Sequence, residues 1–121
     1  MVFLDALARR DLDGLAASLA PDARMRALVP PGFRDFDGRE AVAGKFRDWF
    51  GADQEFEMLE AAATTVGPRL QLRWRVRLTP PGGAAAVLVE QTAFIEAGSR
   101  VQAIDLLCSG FVPEYGATQG N

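Results

Sequence analysis

The sequence predicts a single α+β domain in which a curved antiparallel sheet packs against about three helices. Three observations carry this. From Arg69 to Leu78 the chain reads RLQLRWRVRL, so that Leu70, Leu72, Trp74, Val76 and Leu78 alternate with Arg69, Gln71, Arg73, Arg75 and Arg77. Side chains of a strand point alternately to opposite faces, which makes one face apolar and the other cationic. Before Gly51 most apolar residues recur at helical spacing, and after it the chain reads as long strands broken by short Gly and Pro turns. A length of 121 residues suits one domain with one core.

The elements follow in order. Residues 2–10 place Phe3, Leu4 and Leu7 on one helical face, with Arg9 and Arg10 in the last turn. Asp11 is an N-cap for a second helix whose Leu12, Leu15, Ala16 and Leu19 share a face, and Pro21-Asp22 stops it. Ala23–Val29 alternates as a short strand ended by Pro30-Pro31-Gly32, and Phe33–Asp37 reads as loop. Asp37 and Glu40 have the form of a capping box for a third helix, which runs to about Phe50 with Val42, Phe46, Trp49 and Phe50 on its apolar face. Strands are expected over 54–66, 69–78, 84–96 and 100–112, the last three forming an antiparallel meander. The domain spans residues 1–113, and 114–121, with Gly116 and Gly120 and no apolar pattern, reads as a flexible C-terminal tail.

Composition removes several kinds of chemistry. There is no histidine, so Ser-His-Asp and Cys-His systems and His-containing metal centres are excluded. Cys108 is the only cysteine, which forbids an internal disulfide, forbids a thiolate zinc site and makes a reducing cytoplasm the default compartment. No metal or cofactor is called for. The apolar runs fall far short of the ~20 residues that span a bilayer, and the acids early in MVFLDALARRDLDG do not suit a signal peptide. A net charge of -3 and a pI near 4.9 speak against nucleic acid as a partner.

The segments FLDALARRDLDGLAASLAPDA, DFDGREAVAGKFRDWF and GSRVQAIDLL resemble the nuclear-transport-factor-2-like superfamily, most closely its SnoaL-like and ketosteroid-isomerase-like branch. The resemblance covers nearly the whole chain and rests on structural motifs: the capping Asp11, the post-helix Asp22 and Gly38-Arg39-Glu40 opening the third helix. It implies a cone-shaped sheet closed at one end by helices, with a mostly apolar pocket between them. The implied ligand-binding wall is Phe3, Met25, Phe46, Trp49, Phe50, Leu72, Trp74, Val89, Gln91, Ile104, Leu106 and Cys108, with Leu70, Val76, Val87 and Ala93 facing the same way.

Steroid isomerases of this fold use a tyrosine in the first helix, a carboxylate base on an early strand and a protonated carboxyl on a long strand. Alignment puts Phe3, Ala27 and Gln91 at or next to those positions, so the general base is missing and Gln91 is left as a hydrogen-bond donor. Related polyketide cyclases and epoxide hydrolases place acids inside. Here the inward position of the last strand is Leu106, and Asp105 points to the convex side unless the register slips by one. Gln91 and Asp105 are thus the weak catalytic candidates.

Three readings follow. In the first, the cone binds a small hydrophobic molecule, polycyclic or carbonyl-bearing, with any catalysis of cyclase or isomerase type proceeding without the usual carboxylate base. The alternative is a non-catalytic dimerising or accessory module with a closed pocket, in which Phe94, Leu107 and the arginine ladder on the convex face form a homodimer interface. The third is an acid-base enzyme built on Asp105 and an arginine. The bland assignments are ion pairing for Arg73, Arg75 and Arg77 with Glu90 and Asp105, a buried inert thiol for Cys108, and an internal hydrogen bond for Gln91 to backbone, water or Arg26.

Overall fold

The alternation of Arg69–Leu78 sets the two faces of the whole sheet. The computed structural model describes residues 1–30, 32–83 and 85–114. In chain order the elements are α1 (Val2–Ala8), α2 (Leu12–Ala17), β1 (Leu19–Val29), β2 (Gly32–Asp37), α3 (Arg39–Phe50), β3 (Glu55–Val66), β4 (Arg69–Thr79), β5 (Val87–Ala97), β6 (Val101–Cys108) and β7 (Val112–Pro113). The strands lie in the order β2-β1-β6-β5-β4-β3, with β7 paired to β5 beyond the end of β6. All described pairs are antiparallel except β1 with β6, which is parallel.

Leu72, Trp74, Val76 and Leu78 are buried at 0–1% exposure, whereas Arg73 and Arg75 between them are exposed. The same parity continues through Val89, Gln91, Ala93 and Ile95 of β5, Ile104 and Leu106 of β6, and Met25 and Ala27 of β1. Against this concave face pack Phe3, Leu4 and Leu7 of α1, Leu15 of α2, and Val42, Phe46, Trp49 and Phe50 of α3. Helices this short gain most of their stability from burying that stripe.

Asp11 caps α2 as expected, its Oδ1 accepting from the Gly14 amide at 2.9 Å. Arg10 departs from expectation. It lies beyond α1 at φ 57, and its guanidinium donates to the carbonyls of Phe50 at 2.7 Å and Gln54 at 2.8 Å, and to that of Ala52. It also lies 5.8 Å from the Phe56 ring centre. One cation therefore closes the C-terminus of α3 and fixes the crossing into β3.

Several boundaries differ from the sequence reading; among them α1 ends at Ala8 and β5 starts at Val87. Strand β1 starts at Leu19, because Pro21, which cannot donate to a ladder, sits in a register irregularity between Leu19 and Arg24 that the strand absorbs. The expected loop at Phe33–Asp37 is β2, an edge strand whose polar composition reflects its exposed face. Asp37 belongs to that ladder and pairs with Arg24 at 3.3 Å, so Gly38, at φ 93, takes the N-cap of α3 without a side-chain cap. The last strand breaks after Cys108 instead of running to Val112, and Glu114, assigned to the tail, bonds through its amide to the Ala86 carbonyl at 2.8 Å. The rest of the expected tail lies outside the described residues.

Candidate functional site

Register brings one polar row across the apolar concave face. Trp74 of β4 stands opposite Gln91 of β5, and Gln91 opposite Cys108 of β6. The Trp74 indole Nε1–H donates to Gln91 Oε1 at 2.7 Å, and Gln91 Nε2 donates to Cys108 Sγ at 3.4 Å. The Gly110 amide also donates to that sulfur, at 3.4 Å. Gln91 therefore finds its partners along the row, while Arg26 stands on the opposite face with Asp105. Gln91 and Ser18 are the buried polar side chains among the described residues, and no carboxylate, ammonium or guanidinium is buried with them.

The middle of the cone is filled. A void able to hold water exposes its walls to a water-sized sphere, yet Phe3, Phe46, Phe50, Leu72, Trp74, Val89 and Gln91 all have 0% exposure. Trp74 occupies the centre, with ring centres 6.2 Å from Phe3 and 6.3 Å from Phe46, and Phe46 meets Phe3 edge-on at 5.5 Å. Met25, Ile104 and Leu106 are buried at 1–2%. The pocket that the apolar wall suggests is thus taken up by its own side chains; a row of large inward residues can line a hollow or fill it, and alternation alone does not distinguish these.

Apolar residues become partly exposed at one rim. Val29, Cys108, Val87, Phe56 and Met58 stand at the neighbouring ends of four strands, β1, β6, β5 and β3, and Phe50 of α3 meets Phe56 there with ring centres 5.8 Å apart. Here the chain after Cys108 makes a bulge. The Ser109 amide bonds to the Glu90 carbonyl at 2.9 Å and Val112 pairs with Leu88, so Gly110 and Phe111 stand opposite Val89 alone. Gly110 takes φ 87 in this turn. The extra residue reverses parity and brings the Phe111 ring 6.5 Å from that of Phe50. Nothing in the spacing of CSGFVPE reveals this, because the alternation of the strand appears to run straight through to Val112.

Asp105 lies on the convex face. Its carboxylate accepts from Arg26 at 2.7 and 3.0 Å and from Arg69 at 3.3 Å. The hydrogen bond from Arg26 holds its pKa below the usual carboxylate range. A carboxylate so held is a poor proton acceptor, and it is walled off from the concave face by the sheet. Within the arginine ladder Arg73 pairs with Glu90 at 3.8 Å, as expected, and with Glu60 at 3.4 Å; Arg77 pairs with Glu57 at 2.9 Å and Glu114 at 2.8 Å; Asp105 is taken by Arg26 and Arg69 instead, and Arg75 makes no ion pair among the described residues. Leu28, Phe33 and Leu107 are 51–54% exposed on the same face, around a cleft of about 310 Å³ that Phe94 also lines.

The sequence profile described as the SnoaL-like domain matches residues 2–100. The chain belongs to the SnoaL-like family. Solved structures of similar fold include a "putative polyketide cyclase" of Xanthomonas campestris pv. campestris, 18% identical over 88% of this chain and 84% of that one at a TM-score of 0.66. A "putative isomerase" of Bacillus subtilis is 9% identical over 88% and 81% at 0.70. An LEH-like epoxide hydrolase of M. tuberculosis is 20% identical over 89% and 77% at 0.62. No curated protein matches the sequence. The structural likenesses show the fold and the profile match the family, and the chemistry has to be argued from the side chains themselves.

On that basis the SnoaL-like cone of this chain offers hydrogen-bond donors and apolar walls, and no buried acid or base among the described residues. Sequence reasoning found Trp74, Gln91 and Cys108 but not their linkage. It missed Phe111 and Glu114, which lie beyond the profile match, and Arg10, whose three carbonyl partners are 40 or more residues away.

Proposed function

We propose that this SnoaL-like protein binds a small apolar ring compound bearing a hydrogen-bond acceptor at the rim of its cone, and that it moves no proton there by an acid-base pair. The observation that carries this is the row Trp74–Gln91–Cys108, a single line of polar groups ending at an apolar rim with no buried carboxylate beside it. Apolar walls with a few convergent polar groups are what small-molecule sites are made of. Any turnover of isomerase or cyclase type would draw on shape and on the Gln91 amide. The lone cysteine suits a reducing, cytoplasmic setting. Titration with α-tetralone, followed by backbone NMR shifts, tests the reading: saturable shifts at Gln91, Cys108 and Phe50 support it, and none at millimolar ligand removes it.

A second reading concerns the opposite face. We propose that the exposed Leu28, Phe33 and Leu107 are covered by a second copy of the chain. The surrounding face carries Arg26, Arg69 and Arg73 together with Asp35, Glu96 and Asp105, so a copy of itself presents both signs of charge. Light scattering at micromolar concentration should give twice the chain mass and Leu107→Asp the chain mass; a monomeric parent protein overturns it.

A further inference from the structure

We propose that Phe111 is the built-in occupant of the ligand seat at the cone rim, and that a ligand ring enters by displacing it. This rests on the reading that the rim takes an apolar ring compound. Without the extra residue at Gly110–Phe111, strand parity would send Phe111 to the convex face; with it, the ring lies against Phe50, which is itself 0% exposed. The Phe111 residue keeps 38% of its surface exposed. It covers the rim without being part of the core, which separates it from Phe46 and Phe50.

The segment that carries it is fastened from outside, at its two ends. Strand β7 has two residues, and one is Pro113, which has no amide hydrogen to give. Before Gly110, Ser109 is held by Glu90, its amide donating to the Glu90 carbonyl and its hydroxyl accepting from the Glu90 amide, each at 2.9 Å; after it the hold comes from the Glu114 amide on the Ala86 carbonyl at 2.8 Å and from the Glu114 carboxylate, which accepts from Arg77 at 2.8 and 3.0 Å. Gly110, at φ 87, supplies a joint that no other residue type adopts readily.

Displacement also changes the polar row. The Gly110 amide and Gln91 Nε2 now donate to the same Cys108 sulfur, a weak acceptor. An oxygen acceptor arriving with a ligand ring would satisfy either donor better than sulfur does. The seat therefore fits a ring of about phenyl size with one carbonyl oxygen, such as a cyclic ketone.

Calorimetric titration of the full chain with α-tetralone tests this. Phe111→Ala should bind at least tenfold more tightly than the parent protein, and Glu114→Gln, which loosens the fastening and leaves the ring in place, two- to fivefold more tightly. Equal or weaker binding by Phe111→Ala, with the parent binding, overturns the proposal and leaves the ligand reading standing. Absence of binding by both proteins, each unfolding cooperatively, removes the ligand reading and this proposal with it. Should Phe111→Ala fail to fold, Glu114→Gln decides, and unchanged affinity there is the overturning result.

Discussion

The bond between Trp74 and Gln91 can be weighed by removing each partner separately and then both. Gln91→Leu leaves the indole N–H, in a residue with 0% exposure, without its acceptor at 2.7 Å. An unsatisfied buried donor costs about 1–3 kcal/mol. Trp74→Phe strands Gln91 Oε1 in the same way and adds a packing defect of about 1–3 kcal/mol where the second ring stood. In the double variant neither polar atom remains, so its cost should fall short of the sum of the singles by about 1–2 kcal/mol. Urea unfolding of the four proteins reads this difference directly, and with unchanged slopes it is a statement about stability alone. Additivity to within ~0.5 kcal/mol would refute the reasoning, because it would mean that the two groups do not satisfy one another in the folded chain.

Three further outcomes follow from the same side chains. Gln91→Glu places a carboxyl where burial opposes ionisation, raising its folded pKa, so stability should fall as pH rises above the unfolded value of about 4.3; a flat profile between pH 4 and 7 would show that the site admits solvent. Arg10→Ala removes three charge-assisted bonds and a cation at the C-terminus of α3 and should cost about 2–4 kcal/mol by chemical denaturation. Lys at the same position should recover less than half, since one ammonium cannot reach three carbonyls in a fork. Asp105, its pKa lowered chiefly by Arg26, contributes stability that is present above the unfolded carboxylate range and lost as pH falls through the folded value; Asp105→Asn should flatten the acid limb of the stability profile, and an unaltered limb would contradict the pairing.

Much of this architecture was readable in advance because its signals are periodic. The alternation of β4 needs only that a strand have two faces, and it correctly divides Trp74 from Arg73 and, two strands away, Leu106 from Asp105. Asp11 was legible as a cap because its partner, the Gly14 amide, is three residues away. Absence was legible too: with no histidine and one cysteine, composition alone closes whole kinds of catalysis.

What the sequence by itself determined is therefore the class of fold, the parity of β4, β5 and β6, and the exclusion of histidine chemistry. Only the tertiary structure decided that Trp74 fills the cone, that Gln91 bonds to Trp74 and Cys108, that Arg10 closes α3 from 40 residues away, and that Phe111 turns inward over the rim. The reason is one of range. Periodicity and capping are written by neighbours along the chain, whereas volume filling, long-range hydrogen bonds and a one-residue bulge depend on how strands meet in space, and a single unpaired residue reverses the face without altering the local pattern.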